Sequence, residues 1–316
     1  MAMLTSKRGT ILMTYIDNFR TKSAPEARRV VVQRLNPTVV NFETRTLCNS
    51  TCSFCPVSIQ NETRQDESMS GSLFEKVCKD LAEKSFSGIL SFQLNNEPLI
   101  DKNLLKHIET AQTLLPECRK KITTNGIKLT LDFAKNLVDQ GISILLVDNY
   151  SDSREQKLRL MNIEDELRRE YPDLLVKIQY DRSINENLNT RGGRKKVVES
   201  YAHPKQATMG NIETSLEDAN DKINYPCYRP FSSLTVTSDG SIGLCCYDVY
   251  FELNIGNAYG GNVIDTWHNA VADKIRNELL NGNRSFSAVC GSCNAEYLND
   301  FDLKKMGLSK LERERL

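Results

Sequence analysis

The stretch Cys48-Asn49-Ser50-Thr51-Cys52-Ser53-Phe54-Cys55-Pro56 decides how this chain is read. It follows Thr38-Val39-Val40-Asn41-Phe42, a run of strand length and character, and spaces three cysteines as CX3CX2C. A short loop leaving a strand can aim three thiolates at one centre, as an iron–sulfur cluster requires. Three ligands are one fewer than a four-iron cubane takes, so its fourth iron would stay open to an exogenous ligand. Zinc sites more often show CX2C pairs and draw all four ligands from protein. The plainer alternatives are three unrelated thiols or a partial zinc site.

Outward from this loop, short apolar runs alternate with amphipathic segments. Strands are expected at 38–43, 88–94, 119–124, 142–147 and 174–180. Between them Leu73, Val77 and Leu81 share one helical face; Leu104, Leu105, Ile108 and Leu115 share another, and Leu131, Ala134 and Val138 a third. Ser151–Tyr171 reads as a charged helix with Leu160 and Leu167 turned inward. Such alternation makes an α/β fold with a parallel sheet and right-handed crossovers, whose ligands bind at the carboxyl ends of the strands. Four exits on that rim are polar: the cysteine loop, Asn95-Asn96-Glu97-Pro98, Thr123-Thr124-Asn125-Gly126, and Asp148-Asn149-Tyr150. Each alone is an ordinary turn. Together they outline a pocket for a polar ligand.

Lys plus Arg equals Asp plus Glu at 41 each, which gives no global electrostatic reason to expect nucleic acid or an anionic membrane as partner. The apolar stretch Thr10–Ile16 is too short for a signal or spanning segment, so a cytoplasmic protein is expected. Ten cysteines in that compartment are not a disulfide scaffold. Cys78 and Cys118 stand apart and read as core residues, and His107, His203 and His268 as surface residues. The remaining cysteines form a second set, at 227, 245, 246, 290 and 293. Ser233–Thr237 and Ser241–Cys246 flank an Asp-Gly turn, which makes a β-hairpin that Cys227 enters and Cys245 leaves. Ile264, Trp267, Val271, Ile275 and Leu279 recur at helical spacing behind it, with Trp267 as core. Cys290-Gly-Ser-Cys293 closes the set as a CX2C turn. Cys227, Cys245, Cys290 and Cys293 would suit zinc or a cluster equally on their own.

The first motif, with an aromatic before its last cysteine, resembles the signature of the radical S-adenosylmethionine (SAM) enzymes. Asn95–Pro98 resembles that family's Gly-Gly-Glu-Pro motif, with asparagine in place of both glycines. The resemblance implies a partial (β/α)6 TIM-like barrel. It also implies a SAM-binding [4Fe–4S] cluster on Cys48, Cys52 and Cys55, and SAM contacts from Phe54, Asn96, Glu97, Thr124, Asn125, Asp148 and Arg191, with Glu97 receiving the SAM ammonium. The second set resembles a shortened SPASM or twitch domain and implies an auxiliary [4Fe–4S] cluster on four cysteines. The organisation that follows is an N-terminal extension (1–37), the barrel (38–200), a linker (201–223), a small hairpin-and-helix iron–sulfur domain (224–298) and a helical tail (299–316).

The implied reaction is one-electron cleavage of SAM, with the electron from a cytoplasmic donor such as flavodoxin or ferredoxin. The 5′-deoxyadenosyl radical so formed abstracts a substrate hydrogen atom. A small polyol or amino sugar, oxidised with the auxiliary cluster taking the second electron, is one substrate reading. A peptide, modified or epimerised, is the other; a zinc-stabilised binding protein without catalysis is the reading from another class. Cys246 sits beside an expected ligand on the opposite strand face, where it would be a hydrogen donor or a packing thiol.

Overall fold

The computed structural model describes residues 36–50, 52, 55, 65–151, 153–180, 227, 229–249 and 251–292. Five strands, β1 (Val39–Phe42), β2 (Ile89–Ser91), β3 (Arg119–Thr124), β4 (Ile142–Asp148) and β5 (Leu175–Gln179), alternate with helices. The helices are α1 (Gly71–Glu83), α2 (Leu104–Leu114), α3 (Leu131–Asp139) and α4 (Arg154–Glu170). Three further strands, β6 (Ser233–Val236), β7 (Ser241–Gly243) and β8 (Asn254–Asn257), precede α5 (Val263–Trp267), α6 (Ala270–Leu280) and α7 (Ala288–Ser292). All eight strands form one sheet in the order β5-β4-β3-β2-β1-β6-β7-β8, open at both ends among the described residues. From β5 to β6 every pairing is parallel; β7 and β8 return antiparallel.

Local chemistry agrees with this layout. Side-chain oxygens of Ser70, Thr130, Ser153, Asn262 and Asn269 cap the N-termini of α1, α3, α4, α5 and α6 by accepting otherwise orphaned amides. The α1 stripe Leu73, Val77 and Leu81 is buried, as are Leu160 and Leu167 of α4. Phe42, Phe74 and Phe92 cluster under the carboxyl rim, with ring centroids 4.8 to 6.3 Å apart. Gly240 closes the β6–β7 turn at φ +85°, a left-handed conformation that glycine adopts without strain.

Two expectations need correction. The helix behind the hairpin is two helices: the chain breaks at His268, and the Asn269 side chain caps a fresh start by accepting from Ala272 N at 2.8 Å. Val271, expected inward, is 50% exposed as a result. His107 lies in the core instead of on the surface. Its ring stacks on Phe74 at 4.5 Å and its Nδ1 faces Asp101 Oδ2 at 3.7 Å. Trp267, Cys78 and Cys118 are buried in the core, and His268 is half-buried. His203 lies outside the described residues.

Burial pushes the His107 pKa below 6.5, and the nearby Asp101 charge only partly opposes it. A depressed folded pKa makes the unfolded chain the better proton binder, so this stability is present above pH 6.5 and lost as pH falls. The melting temperature of the wild type is expected to fall relative to that of His107→Leu when both are acidified from about pH 7.5 to 5.5. An unchanged difference would show that His107 does not titrate in this way.

Candidate functional site

The cysteine loop is closed at its base by protein hydrogen bonds alone. Thr46 N donates to Glu67 O (2.9 Å), its hydroxyl donates to Gln65 O (2.5 Å), and Met69 N donates to Thr44 O (2.9 Å). Arg45 clamps the same stem, bidentate on Asp66 at 2.6 and 2.7 Å, with its third nitrogen on Ile100 O at 2.6 Å. The Cys52 carbonyl accepts from Cys55 N at 2.9 Å, and Cys52 Sγ lies 3.1 Å from Ser50 Oγ. Burial pushes the Cys48 thiol up to about 12, and the nearby Glu97, Cys55 and Cys52 charges add to the shift. A Cys48 thiol that resists ionising suits a cationic iron core, which supplies the missing positive charge and favours the thiolate.

The next two rim turns are knitted to this loop. Glu97 N donates to Leu47 O at 3.1 Å, and Asn125 Nδ2 reaches Asn49 Oδ1 (2.8 Å) and Cys48 Sγ (3.8 Å). The Glu97 carboxylate, 2% exposed, accepts on Oε1 from Thr124 Oγ1 (2.5 Å) and Leu99 N (3.1 Å), and on Oε2 from Asn125 N (2.8 Å). A carboxylate offers about four lone-pair sites, and these protein donors take up three of them. Gly126 lets the Thr124–Asn125 turn close at φ +75°; a Cβ there would stand 2.7 Å from Val147 Cγ1. Asn96 Nδ2 donates to Thr44 Oγ1 at 3.3 Å, and Asn95 Nδ2 to Val249 O at 3.3 Å. The asparagines that replace glycine thus fasten the β2 exit to the β1 exit and to the loop after Cys246. Asp148 ends β4, half-buried in register with Gln179. Its neighbour Asn149, not singled out from sequence, is fully buried and donates to Tyr180 O at 2.9 Å, tying the β4 and β5 exits together. Phe54, Arg191 and Cys293 lie outside the described residues.

The second cysteine set lies on the other side of β1. Cys227, Cys245 and Cys290 line one cavity with Arg229, Tyr247 and Arg284. Cys245 follows β7 at the start of a turn whose Tyr247 amide points at its Sγ, 3.4 Å away. Cys246 is not part of that lining; its Sγ receives Arg229 Nη1 at 3.6 Å. Arg276 fixes the segment after Cys227, donating to Pro230 O at 2.8 Å with its guanidinium 4.3 Å over the Trp267 ring. Three thiols and two arginines line one largely apolar cavity, a donor set whose chemistry suits an anionic thiolate-ligated cluster. Among the described residues no group of three or more His, Cys, Asp or Glu side chains is placed to hold a metal ion. Arg229 and Arg284 were not foreseen from sequence, although Arg229 stands two residues beyond Cys227.

The fold and the two thiol sets define a radical SAM enzyme with a SPASM domain, the iron-sulfur cluster-binding domain whose family model matches residues 227–294. Its cofactors are SAM, a [4Fe–4S] cluster and an auxiliary cluster. The chain is 26% identical over 256 residues to the S-adenosyl-L-methionine-dependent 2-deoxy-scyllo-inosamine dehydrogenase of Niallia circulans, covering 81% of this chain and 92% of that one. A crystal structure of BtrN with AdoMet and 2-DOIA superposes with a TM-score of 0.64 at 23% identity, over 82% of this chain and 93% of that one. The fold is also shared with anSMEcpe bound to AdoMet, at a TM-score of 0.51 and 12% identity, over 86% and 91% of the two chains.

Proposed function

We propose that this enzyme oxidises a secondary alcohol of a small aminocyclitol or amino sugar to the ketone. The observation that carries this is the continuity of the sheet: β6 pairs in parallel with β1, residue for residue from Val39–Ser233 to Phe42–Val236. The strand that leads to the SAM-cluster loop and the hairpin that leads to Cys245 therefore run side by side. Asn95, at the β2 exit, donates to Val249 O in the loop that follows Cys246. Because β7 runs back antiparallel, Cys245 lies toward the amino end of β1, while the SAM-cluster loop leaves its carboxyl end. A substrate bound along the face of these strands lies between the two redox sites. The named activity of the Niallia circulans relative supports the substrate class.

Cys48, Cys52 and Cys55 hold the SAM cluster, and Glu97, Asn96, Thr124, Asn125 and Asp148 shape the SAM pocket beside it, with Phe54 and Arg191 completing it. Cys227, Cys245, Cys290 and Cys293 hold the auxiliary cluster. The chemistry the bound cofactors supply is cleavage of SAM to methionine and a 5′-deoxyadenosyl radical, removal of one hydrogen atom from the carbinol carbon, and acceptance of the remaining electron. The hydroxyl proton leaves to solvent, so the product is two hydrogens lighter than the substrate. A flavodoxin or ferredoxin supplies the first electron, and the reducing cytoplasm suits both clusters. No helix among the described residues is long and apolar enough to cross a membrane.

The test is anaerobic turnover with SAM and a panel of aminocyclitols and amino sugars, including 2-deoxy-scyllo-inosamine, read by mass spectrometry in deuterated water. A product two mass units lighter, with no solvent deuterium on carbon, is expected with one 5′-deoxyadenosine per product. Product of unchanged composition carrying one deuterium would establish epimerisation instead.

A further inference from the structure

We infer that Arg229 and Arg284 set the redox balance of the auxiliary site, making it a better electron acceptor than its four thiolates alone would allow. The inference rests on the reading of the Cys227–Cys245–Cys290 cavity as the auxiliary cluster's seat. Both arginines line that cavity, and none of the other described lining residues is acidic. The Arg284 residue is only 5% exposed, so its charge is poorly screened by water. The Arg229 head is fixed from two sides: Nη2 donates to Tyr247 Oη at 2.7 Å and Nη1 to Cys246 Sγ at 3.6 Å. Its guanidinium carbon sits 3.9 Å from the centre of the Tyr247 ring. Tyr247 also presents its amide to Cys245 Sγ, which ties the arginine and the thiolate to one short turn.

Four thiolates around a [4Fe–4S]2+ core leave a net charge of −2, and one-electron reduction makes it −3. Fixed positive charge and N–H donors near the sulfurs stabilise the more anionic state, and net charge and such hydrogen bonds are among the levers that set these potentials. In a dehydrogenation the auxiliary site takes the one electron left after hydrogen-atom removal and loss of the hydroxyl proton. The buried Arg284 guanidinium and the half-buried Arg229 guanidinium favour that uptake. Arginine keeps its charge at any working pH, so the effect is permanent rather than switched.

The experiment uses the full-length Cys48/Cys52/Cys55→Ala chain, in which only the auxiliary site can carry iron. It follows a potentiometric titration of that site by EPR, with Arg229 and Arg284 each native, Gln or Lys. Each Gln variant is expected to shift the reduction equilibrium about tenfold toward the oxidised form, a midpoint about 59 mV lower. The Lys variants, which keep the charge, are expected to recover most of that shift. Iron present with a midpoint unchanged in both Gln variants would overturn the role given to the arginines and leave the cluster's seat intact. Absence of iron from the parent with both arginines native would overturn the seat, and this inference with it. A loss due only to misfolding would appear equally in Gln and Lys variants, and Lys midpoints matching Gln would likewise count against the charge-based account.

Discussion

Cys245→Ala is expected to abolish ketone formation and strip iron from the second site, while 5′-deoxyadenosine still forms. Cys245 lines the cavity with Cys227 and Cys290, and its sulfur accepts the Tyr247 amide. Removing it leaves the cluster a ligand short and that amide without its acceptor. SAM cleavage depends on the separate loop after β1, so it continues, uncoupled from product. Cys246→Ala is expected to retain turnover, because that thiol contacts Arg229 rather than lining the cavity. The reverse pattern, with product surviving loss of Cys245 and vanishing with Cys246, would assign the chemistry to hydrogen donation by Cys246. Mass detection of product beside chromatographic 5′-deoxyadenosine separates the two.

Glu97→Gln is expected to weaken SAM binding tenfold or more and to lower stability as well. Sequence resemblance alone gives Glu97 the SAM ammonium. The structure adds a second duty, because three protein donors converge on the same carboxylate. An amide nitrogen there would face Asn125 N or the Thr124–Leu99 pair donor to donor. Leaving a buried donor unsatisfied costs about 1–3 kcal/mol, and a tenfold affinity loss is about 1.4 kcal/mol. Thermal melts of the chain without SAM isolate the first effect; equilibrium binding of SAM, followed through the cluster's visible absorption, isolates the second. Wild-type stability together with wild-type affinity would remove Glu97 from the site.

Much of this architecture was legible because it rests on local patterns. Alternating short apolar runs and helical stripes placed β1 to β5 to within about three residues at each end. The Asp-Gly turn gave the β6–β7 hairpin. What remained hidden depends on pairing across the chain. Nothing near Ser233 announces that it will lie beside Val39, yet that pairing makes the second cysteine set an extension of the first sheet. The interruption at His268 was missed because the apolar spacing runs through it, while the stop signal is a single capping asparagine. His107 looked like a surface residue because its stacking partner Phe74 comes from another helix. The roles of Asn95 and Asn96 were equally non-local: both side chains fasten the β2 exit to its neighbours through partners distant in sequence.

Two iron–sulfur sites, on independent cysteine sets along one continuous sheet, form the core of this account. Iron and sulfide counts on anaerobically reconstituted protein test it most directly. The wild type is expected to carry about eight of each per chain. Cys48/Cys52/Cys55→Ala and Cys227/Cys245/Cys290→Ala are each expected to carry about four. Zinc in place of iron at the second set, or a count of about four that falls to none when the first set is removed, would contradict it.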